Sequence, residues 1–255
     1  MYREYHPGPA LAPFAECLWS VETRDHALAH LVLPDGCLDI LFWAEGGLRA
    51  VGTMTRRQVV PLPPGARVAG IRFRPGVAGR FLGIAPRELT DGWAPLEDLW
   101  GRRGRGLHER LQEAASPREY LRLLAGSLPV PDAAENAFFR ALQMLTTADG
   151  NLSLDEVTRA ANLSPRQFRR RCLEETGLTP KHLSRVLRFQ RALRLLRRAP
   201  ERGWAHLAAE CGYYDQAHLI RDFREFAAST PTGLASGDGR FLQSAPGADR
   251  IALEA

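Results

Sequence analysis

Two stretches near the C-terminal end, 153–180 and 204–231, carry the same apolar pattern about fifty residues apart. Laid over each other, Val157, Phe168, Arg170, Cys172, Gly177 and Pro180 align with Leu207, Leu219, Arg221, Phe223, Ala228 and Pro231. The second copy has one extra residue in its turn. Because each copy alternates an apolar helical stripe with a tight turn, the pattern is typical of one supersecondary unit used twice. It predicts two helix-turn-helix units.

The first copy has strong helix-start signals. Ser153 and Glu156 form a capping-box pattern, which predicts a helix to about Ala161. Ser164 is a good N-cap for the next helix, and Pro165 suits its first position. The turn between the two helices is therefore expected at residues 162–164.

The second helix of this copy carries arginines on its outer face. They are Arg166, Arg169 and Arg170. In a helix-turn-helix unit the second helix enters the major groove, where an arginine can bind guanine O6 and N7 with two hydrogen bonds. We therefore predict that these three side chains contact bases. Arg171 points in another direction and is predicted to contact phosphate or solvent.

The second copy is predicted to start with a helix at 204–211, to turn at 212–214 and to begin its second helix at Asp215. Gln216 is suited to adenine, and Arg221 occupies the position of Arg170 in the first copy. His218 is a second candidate for DNA contact, although a packed histidine would fit the pattern equally well.

A predicted amphipathic helix, Pro180–Arg198, joins the two copies. Its apolar side carries Leu183, Val186, Leu187, Leu193 and Leu196, and a neighbouring side carries Arg185, Arg188, Arg191 and Arg194. A helix of this length spans about 28 Å, close to the ~34 Å between successive major grooves on one face of B-DNA. One chain can therefore be expected to read two adjacent grooves, with Arg188 as a phosphate contact.

The positive charge is concentrated in this region. The net charge is +5, and 164–198 holds eleven basic residues against two glutamates, so the remainder of the chain sums to −4. Clustered basic residues on helices are the electrostatic footprint of a surface that binds nucleic-acid phosphates. Double-stranded DNA is the expected partner.

The remainder of the chain has a different character. From residue 2 to about 101, short apolar runs such as Leu38–Trp43, 59–62 and 68–73 are broken by proline and glycine turns, which predicts strands. Residues 106–126 have loosely helical spacing, 129–132 suggest a linker, and 133–146 suggest a helix. We predict a mixed α+β, strand-rich N-terminal domain at 1–128, an all-α domain at 131–235 and a flexible tail at 236–255.

Composition excludes several classes. At 255 residues and 45% hydrophobic, the chain is ordinary for a globular protein with two cores. It has neither a 20-residue apolar span nor the apolar core of a secretion signal near its start, so a cytoplasmic location without membrane contact is expected. Four scattered cysteines match neither a disulfide framework nor a zinc pattern. No metal, cofactor or catalytic site is predicted.

Residues from about 131 to 234 resemble the DNA-binding domain of the AraC/XylS transcriptional regulators. The resemblance lies in Leu163-Ser164-Pro165-x-x-Phe168-x-Arg170, Gly177-x-Thr179-Pro180 and Gly212-Tyr213-x-Asp215-x-x-His218-Leu219-x-Arg221-x-Phe223. It implies two recognition helices in consecutive major grooves, with Arg166, Arg169, Arg170, Gln216 and Arg221 facing DNA. Two residues depart from the family pattern: Cys172 replaces a phenylalanine, and Ala228 replaces the glycine that ends the second recognition helix.

The first 125 residues resemble an uncharacterised domain found in front of AraC-type modules. The resemblance rests on residues 33–42, beginning Leu-Pro-Asp-Gly-Cys, on 70–76 and on 89–100. In this family such domains commonly bind a small effector or another subunit. Trp19, Trp43, Arg72 and Arg74 are candidates for an effector pocket, because the aromatic rings suit its walls and the two arginines share one side of a strand.

Two alternatives remain open for the N-terminal domain. It could serve only for homodimer formation or for docking on RNA polymerase. It could also be a thiol sensor of alkylation or oxidation, in which Cys17 or Cys37 would need an exposed, electropositive surrounding.

Overall fold

The computed structural model describes residues 1–129, 136–199 and 203–236, together with 251 and 253. The strands are β1 (Tyr2–Tyr5), β2 (Ala15–Glu22), β3 (Leu28–Val32), β4 (Leu38–Trp43), β5 (Gly47–Val51), β6 (Gln58–Leu62), β7 (Arg67–Phe73) and β8 (Trp93–Pro95). The helices of the first half are α1 (Gly8–Leu11), α2 (Gly79–Leu82), α3 (Leu96–Trp100), α4 (Arg102–Glu113) and α5 (Pro117–Ser127), with a 3-10 helix at Pro86–Leu89. The helices of the second half are α6 (Ala137–Thr147), α7 (Leu154–Ala161), α8 (Pro165–Thr176), α9 (Pro180–Arg198), α10 (Trp204–Glu210), α11 (Gln216–Ala227) and α12 (Pro231–Ser236).

The N-terminal half is built on a six-stranded antiparallel sheet in the order β1-β2-β7-β4-β5-β8. Alternate residues of each strand face opposite sides. On one side, Leu38, Ile40 and Phe42 of β4 are buried in a core that also contains residues of α4 and α5. On the other side, Trp19 of β2 belongs to a smaller core that includes Leu62 of β6. The sheet therefore has helices on one face and the β3-β6 pair on the other.

The C-terminal half is entirely helical in its described residues, and α9 is its centre. Its apolar side is buried in a single core with residues of α6, α7, α8, α10 and α11. The turn between α6 and α7 lies close to the backbone of α9, because a Cβ on Gly150 would lie 2.3 Å from the Ser184 carbonyl oxygen. Only glycine fits at position 150, and the backbone φ of +77° at this position also favours glycine.

The predicted fold class is confirmed. The predicted spacer helix matches α9, and the strand prediction at Leu38–Trp43 matches β4. The helix predicted at 133–146 begins at Ala137 in the structure, whereas 133–135 lie outside the described residues.

The predicted domain limits stay a prediction, because residues 130–135 and most of the tail are not among the described residues. The described tail residue Ile251 forms a parallel bridge with Tyr5. Its backbone accepts a hydrogen bond from His6 N at 3.0 Å and donates one to Glu4 O at 3.1 Å. No helix within the described residues is long and apolar enough to cross a membrane.

Helix α11 is held on α9 by an ion-pair cluster. Arg185 Nη2 lies 2.7 Å from Oδ1 of Asp222, which is fully buried on α11. Arg185 also pairs with Glu225, one turn further along α11 and exposed. The two carboxylates therefore share one guanidinium but differ in their access to water.

Helix α11 ends as if Ala228 were a glycine. Ala228 has φ 47° and ψ 36°, the left-handed conformation that glycine adopts without a steric penalty. The departure from the family pattern therefore leaves the shape of the helix end intact and adds strain.

Ala228→Gly is expected to raise the free energy of unfolding by about 0.5–1 kcal/mol. Relief of the left-handed conformation, worth ~1–2 kcal/mol, exceeds the extra chain entropy lost by glycine, ~0.4–1 kcal/mol. Urea denaturation followed by circular dichroism measures the change. Ala209→Gly, the same substitution inside α10, is the control and should lower stability by ~1 kcal/mol. An Ala228→Gly variant no more stable than wild type would contradict the strain.

Asp222→Asn should destabilise the protein by at least ~2 kcal/mol, because it removes one partner of a buried pair. Glu225→Gln removes the same charge from the same arginine at an exposed site and should cost less than ~1 kcal/mol. Denaturant unfolding of both variants measures the difference. Equal losses would show that burial of Asp222 does not decide the strength of the contact.

Candidate functional site

Helix α8 presents its arginines outward because its apolar residues are buried. Phe168 and Cys172 have no exposed surface, whereas Arg166, Arg169 and Arg170 are exposed. No carboxylate lies within ion-pair distance of these three arginines among the described residues. Their guanidinium groups are therefore available to a ligand outside the chain.

The start of α8 is fixed by the predicted cap. Ser164 N and Ser164 Oγ donate to Gln167 Oε1 at 2.9 and 2.8 Å. Gln167 is thereby committed to the cap, although it sits among the exposed arginines. The cap leaves Arg166 in the first turn of the helix, the position from which recognition helices reach base edges.

The structure places Arg171 against α6, a contact that the sequence interpretation did not include. Its guanidinium carbon lies 4.6 Å from the ring centroid of Phe138 and 5.7 Å from that of Phe139, both on α6. The side chain covers the aromatic core as a cation-π contact. Helical spacing located Arg171 on a different side from Arg170, but it could not show that α6 packs there.

Helix α11 offers a less basic surface than α8. Asp215 caps it, with Oδ1 accepting from His218 N at 2.7 Å. Gln216 and Arg221 are exposed, whereas the His218 ring is partly buried and lies edge-on to Tyr213 with 5.3 Å between centroids. Gln216 and Arg221 are free to meet a ligand, and a DNA contact by His218 stays a prediction.

A basic groove of about 770 Å³ lies between the first helix-turn-helix unit and α9. Its described lining residues include four cations and no carboxylate: Arg166, Arg169, Lys181 and Arg188. Lys181 is a residue that the sequence interpretation missed. It is the single lysine of the chain and lies in the first turn of α9, where a cation gains nothing from the helix dipole. This unfavourable placement could have identified Lys181 as a candidate binding residue from the sequence.

Three arginines of the predicted row on α9, Arg185, Arg191 and Arg194, form ion pairs inside the protein. Arg191 Nη1 lies 3.8 Å from Asp149 Oδ2, and Arg194 pairs with the same carboxylate. Arg185 is held by α11. Arg188 differs, because it has no ion pair within the described residues and its guanidinium lies 5.6 Å from the Tyr213 ring centroid. Arg188 is therefore the arginine of the predicted row that can bind an anion from outside the chain.

In the N-terminal half, a cavity of about 280 Å³ lies between the six-stranded sheet and the β3-β6 pair. It brings together three of the four predicted effector residues, Trp19, Trp43 and Arg72, with Trp93 and the unpredicted Arg49. Arg74 lies elsewhere. It follows the end of β7, and its Nη1 lies 2.9 Å from Glu16 Oε2.

The floor of the cavity is a buried charge cluster. Arg72 Nε lies 3.2 Å from Asp35 Oδ2 and 3.5 Å from Asp39 Oδ1, and Trp19 Nε1 donates to Asp39 Oδ1 at 2.7 Å. Burial raises the pKa of Asp39 to about 6, and the positive charge of Arg72 opposes that rise. Burial also lowers the pKa of His30 to about 4, helped by Arg72, so the imidazole is neutral near pH 7.

The charge cluster continues into a second cavity between the two halves of the chain. Arg72, Arg74 and Asp35 line it from the N-terminal half, and Gln190 and Arg194 of α9 line it from the C-terminal half. Arg72 is thus part of the lining of both cavities.

The loop at residues 33–37 docks on α9. Gln190 Nε2 donates to the Pro34 carbonyl oxygen at 2.6 Å, and Leu33 is buried in the C-terminal core. Gly36 has φ +80°, and a Cβ there would lie 2.8 Å from Leu183 Cδ1. The same loop carries Asp35, so one buried arginine connects the inter-sheet cavity to a loop seated on the spacer helix.

The four cysteines lie away from solvent. Cys17, Cys37, Cys172 and Cys211 are buried and unbonded to one another. Burial raises the pKa of Cys37 well above its usual range, helped by the negative charge of Asp35. A thiol without a populated thiolate reacts slowly with alkylators and oxidants. Within the described residues no group of histidine, cysteine and acidic side chains has the arrangement of a metal site.

Comparison with known families separates the chain into the same two parts. Residues 3–95 match a family described as a domain of unknown function (DUF6597). Residues 157–236 match a family described as a helix-turn-helix domain.

Comparison with individual proteins finds partial relatives. The HTH-type transcriptional activator RhaS of Escherichia coli (strain SE11) is 34% identical over 89 residues, which are 35% of this chain and 32% of RhaS. The chain thus spans about a third of the length of the curated relatives that it matches. The C-terminal domain of AraT, a response regulator from Geobacillus stearothermophilus, is 24% identical with a TM-score of 0.35, covering 39% of this chain and 84% of that one. ToxT from Vibrio cholerae O395 is 10% identical with a TM-score of 0.42, covering 86% and 95%.

The family matches agree with the geometry of the two capped helix pairs, α7-α8 and α10-α11. Residues 157–236 therefore belong to the helix-turn-helix family, and they follow a domain, residues 3–95, of the family of unknown function.

Proposed function

We propose that this protein is a sequence-specific DNA-binding transcription regulator that reads two adjacent major grooves with α8 and α11. The observation that carries the proposal is the pair of capped helices with exposed polar faces, joined by a packed helix about 28 Å long. Arg166, Arg169 and Arg170 would read the first groove, and Gln216, Arg221 and His218 the second. The basic groove with Arg188 and Lys181 would hold phosphates between them.

Selection of fragments from a random DNA pool by the full chain tests this proposal. We expect enrichment of two unequal half-sites about one helical turn, ~10 base pairs, apart. The half-site bound by α8 should be richer in guanine, because arginine favours that base. Enrichment of one short half-site, or of none, would contradict reading by two helices.

The proposal extends to control by a small effector at the inter-sheet cavity, with Trp19, Trp43 and Arg72 as binding residues. Arg74, which lines the second cavity, would act at the contact between the two halves. The cavity favours a sensor over a pure dimerisation or RNA polymerase docking module, because a scaffold has no need of it. Homodimer formation, docking on RNA polymerase and cytoplasmic location stay predictions.

Arg170→Ala should weaken binding to the selected site by about 1–3 kcal/mol and relax the preference at one base pair. Fluorescence anisotropy with the selected site and its single-base variants measures both effects. Arg110→Ala is the matched control, because Arg110 is exposed on α4 in the other half of the chain. An affinity and base preference equal to those of the control would refute base contact by Arg170.

Arg188→Ala should weaken binding to all sequences alike, because a phosphate contact carries no sequence information. The slope of log affinity against log salt should fall by about 0.9 for the lost phosphate contact. Salt titrations on specific and unrelated DNA measure the slope, and circular dichroism checks that the variant is folded. Loss on one sequence only would count against this role.

Asp35→Asn should change DNA affinity without altering any residue of the helical half, because it weakens the tie between Arg72 and the loop on α9. Hydrogen exchange within Leu183–Gln190 should also become faster, since the docked loop protects that part of α9. Arg110→Gln is the control for loss of an exposed charge. If Asp35→Asn leaves both affinity and exchange unchanged, the N-terminal domain does not control α9 through this loop.

A further inference from the structure

The inter-sheet cavity has apolar walls suited to a flat ligand. Trp19, Trp43 and Trp93 line it together with valine and leucine side chains from both sheets. Its volume of about 280 Å³ is near the lower end of the ~300–1,000 Å³ common for ligand pockets. A small, mostly apolar molecule fits these dimensions and these walls.

The lining also carries an arginine, Arg49, that no carboxylate neutralises among the described residues. Arg49, Arg72 and Asp39 are its charged members, and His30 is neutral near pH 7 because burial lowers its pKa. Arg72 already has two carboxylates beside it. Arg49 has none within ion-pair distance among the described residues.

Arg49 is held in place with its terminal nitrogens uncommitted. Its Nε donates to the Gly46 carbonyl oxygen at 2.7 Å, and its guanidinium carbon lies 4.0 Å from the Trp93 ring centroid. Trp93 is half exposed, so the pair stands at the mouth of the cavity. A guanidinium fixed in this way is preorganised to hold a carboxylate with two hydrogen bonds.

Three buried polar atoms of the lining have no hydrogen-bond partner among the described residues: Trp43 Nε1, His30 Nδ1 and Arg72 Nε. Arg72 Nε has two carboxylates within ion-pair distance. Buried polar atoms are normally satisfied, so Trp43 Nε1 and His30 Nδ1 need a partner that the described residues do not supply. An indole N–H can only donate, and it therefore calls for an acceptor on the ligand. Carboxylate oxygens are such acceptors.

We propose that the cavity binds a small monocarboxylate with a flat apolar body, its carboxylate at Arg49 and its body between the tryptophans. This inference deepens the effector control described above and rests on it for its regulatory meaning. A cationic ligand is disfavoured by Arg49 and Arg72. A sugar is disfavoured because the walls are mainly apolar and would leave most hydroxyls unpaired.

Calorimetric titration of the full chain, without DNA, tests the ligand class. The probes are benzoate, 2-naphthoate, the neutral 2-naphthalenemethanol and the cationic 2-naphthylmethylammonium. We expect saturable binding of at least one carboxylate, with 2-naphthoate or benzoate binding at least about tenfold more tightly than the alcohol or ammonium. No saturable binding of either carboxylate, or tighter binding of the alcohol or the ammonium, would overturn the proposal.

Two variants test whether the carboxylate of the ligand binds at Arg49. Arg49→Gln should remove the preference for the carboxylate and leave the affinity for the alcohol within about twofold, because the apolar walls are unchanged. Arg110→Gln should retain the preference. A preference that survives in Arg49→Gln would place the anion elsewhere and overturn the assignment.

The ligand measurement is separable from the proposed DNA function. Carboxylate binding that leaves the affinity for the selected DNA unchanged would support the cavity assignment and contradict effector control. Loss of carboxylate preference in Arg49→Gln, with normal DNA binding by the same variant, would support the cavity assignment and show that the two sites are distinct.

Discussion

Burial of one side of α9 is the interaction on which the helical half depends. Its buried residues, among them Val186, Phe189 and Ala192, meet side chains from both helix-turn-helix units in a single core. Each large apolar side chain buried in this way contributes about 1.5–3 kcal/mol. Because both units pack on the same helix, their spacing is set by α9 and by the ion pairs between Arg185 and α11. The helix that separates the two units therefore also forms the centre of their shared core.

The N-terminal half reaches the same helix. Arg72 lines the inter-sheet cavity and pairs with Asp35, and the loop that carries Asp35 is held on α9 by the Gln190 hydrogen bond to Pro34. A partial rearrangement of a buried charge cluster is costly. A buried carboxylate left without its partner lowers the stability of the folded protein by several kcal/mol. Such a cluster is suited to move as a unit. This is the physical basis on which we propose control of the spacer by a ligand in the cavity.

The parts that the sequence predicted are those decided by local interactions. Caps such as Ser164 and Asp215 and the apolar spacing of α9 depend on residues a few positions apart, so the helices were predictable. Arg171 was not, because its position over Phe138 depends on how α6 packs. The inter-sheet cavity was predictable only in part. Trp19, Trp43 and Arg72 were recognised as candidates, whereas the pairing of Arg49 with Trp93 depends on the register of β5 and β8.

In the proposed function, α9 fixes the spacing at which α8 and α11 read DNA. The most direct measurement is the affinity of the full chain for its selected site after insertion of about five or about ten base pairs, roughly a half or a whole helical turn, between the half-sites. Since a packed helix cannot lengthen, both insertions should reduce affinity to that of a single half-site. Full affinity after the whole-turn insertion would show that the two helices are joined flexibly, and it would contradict the claim.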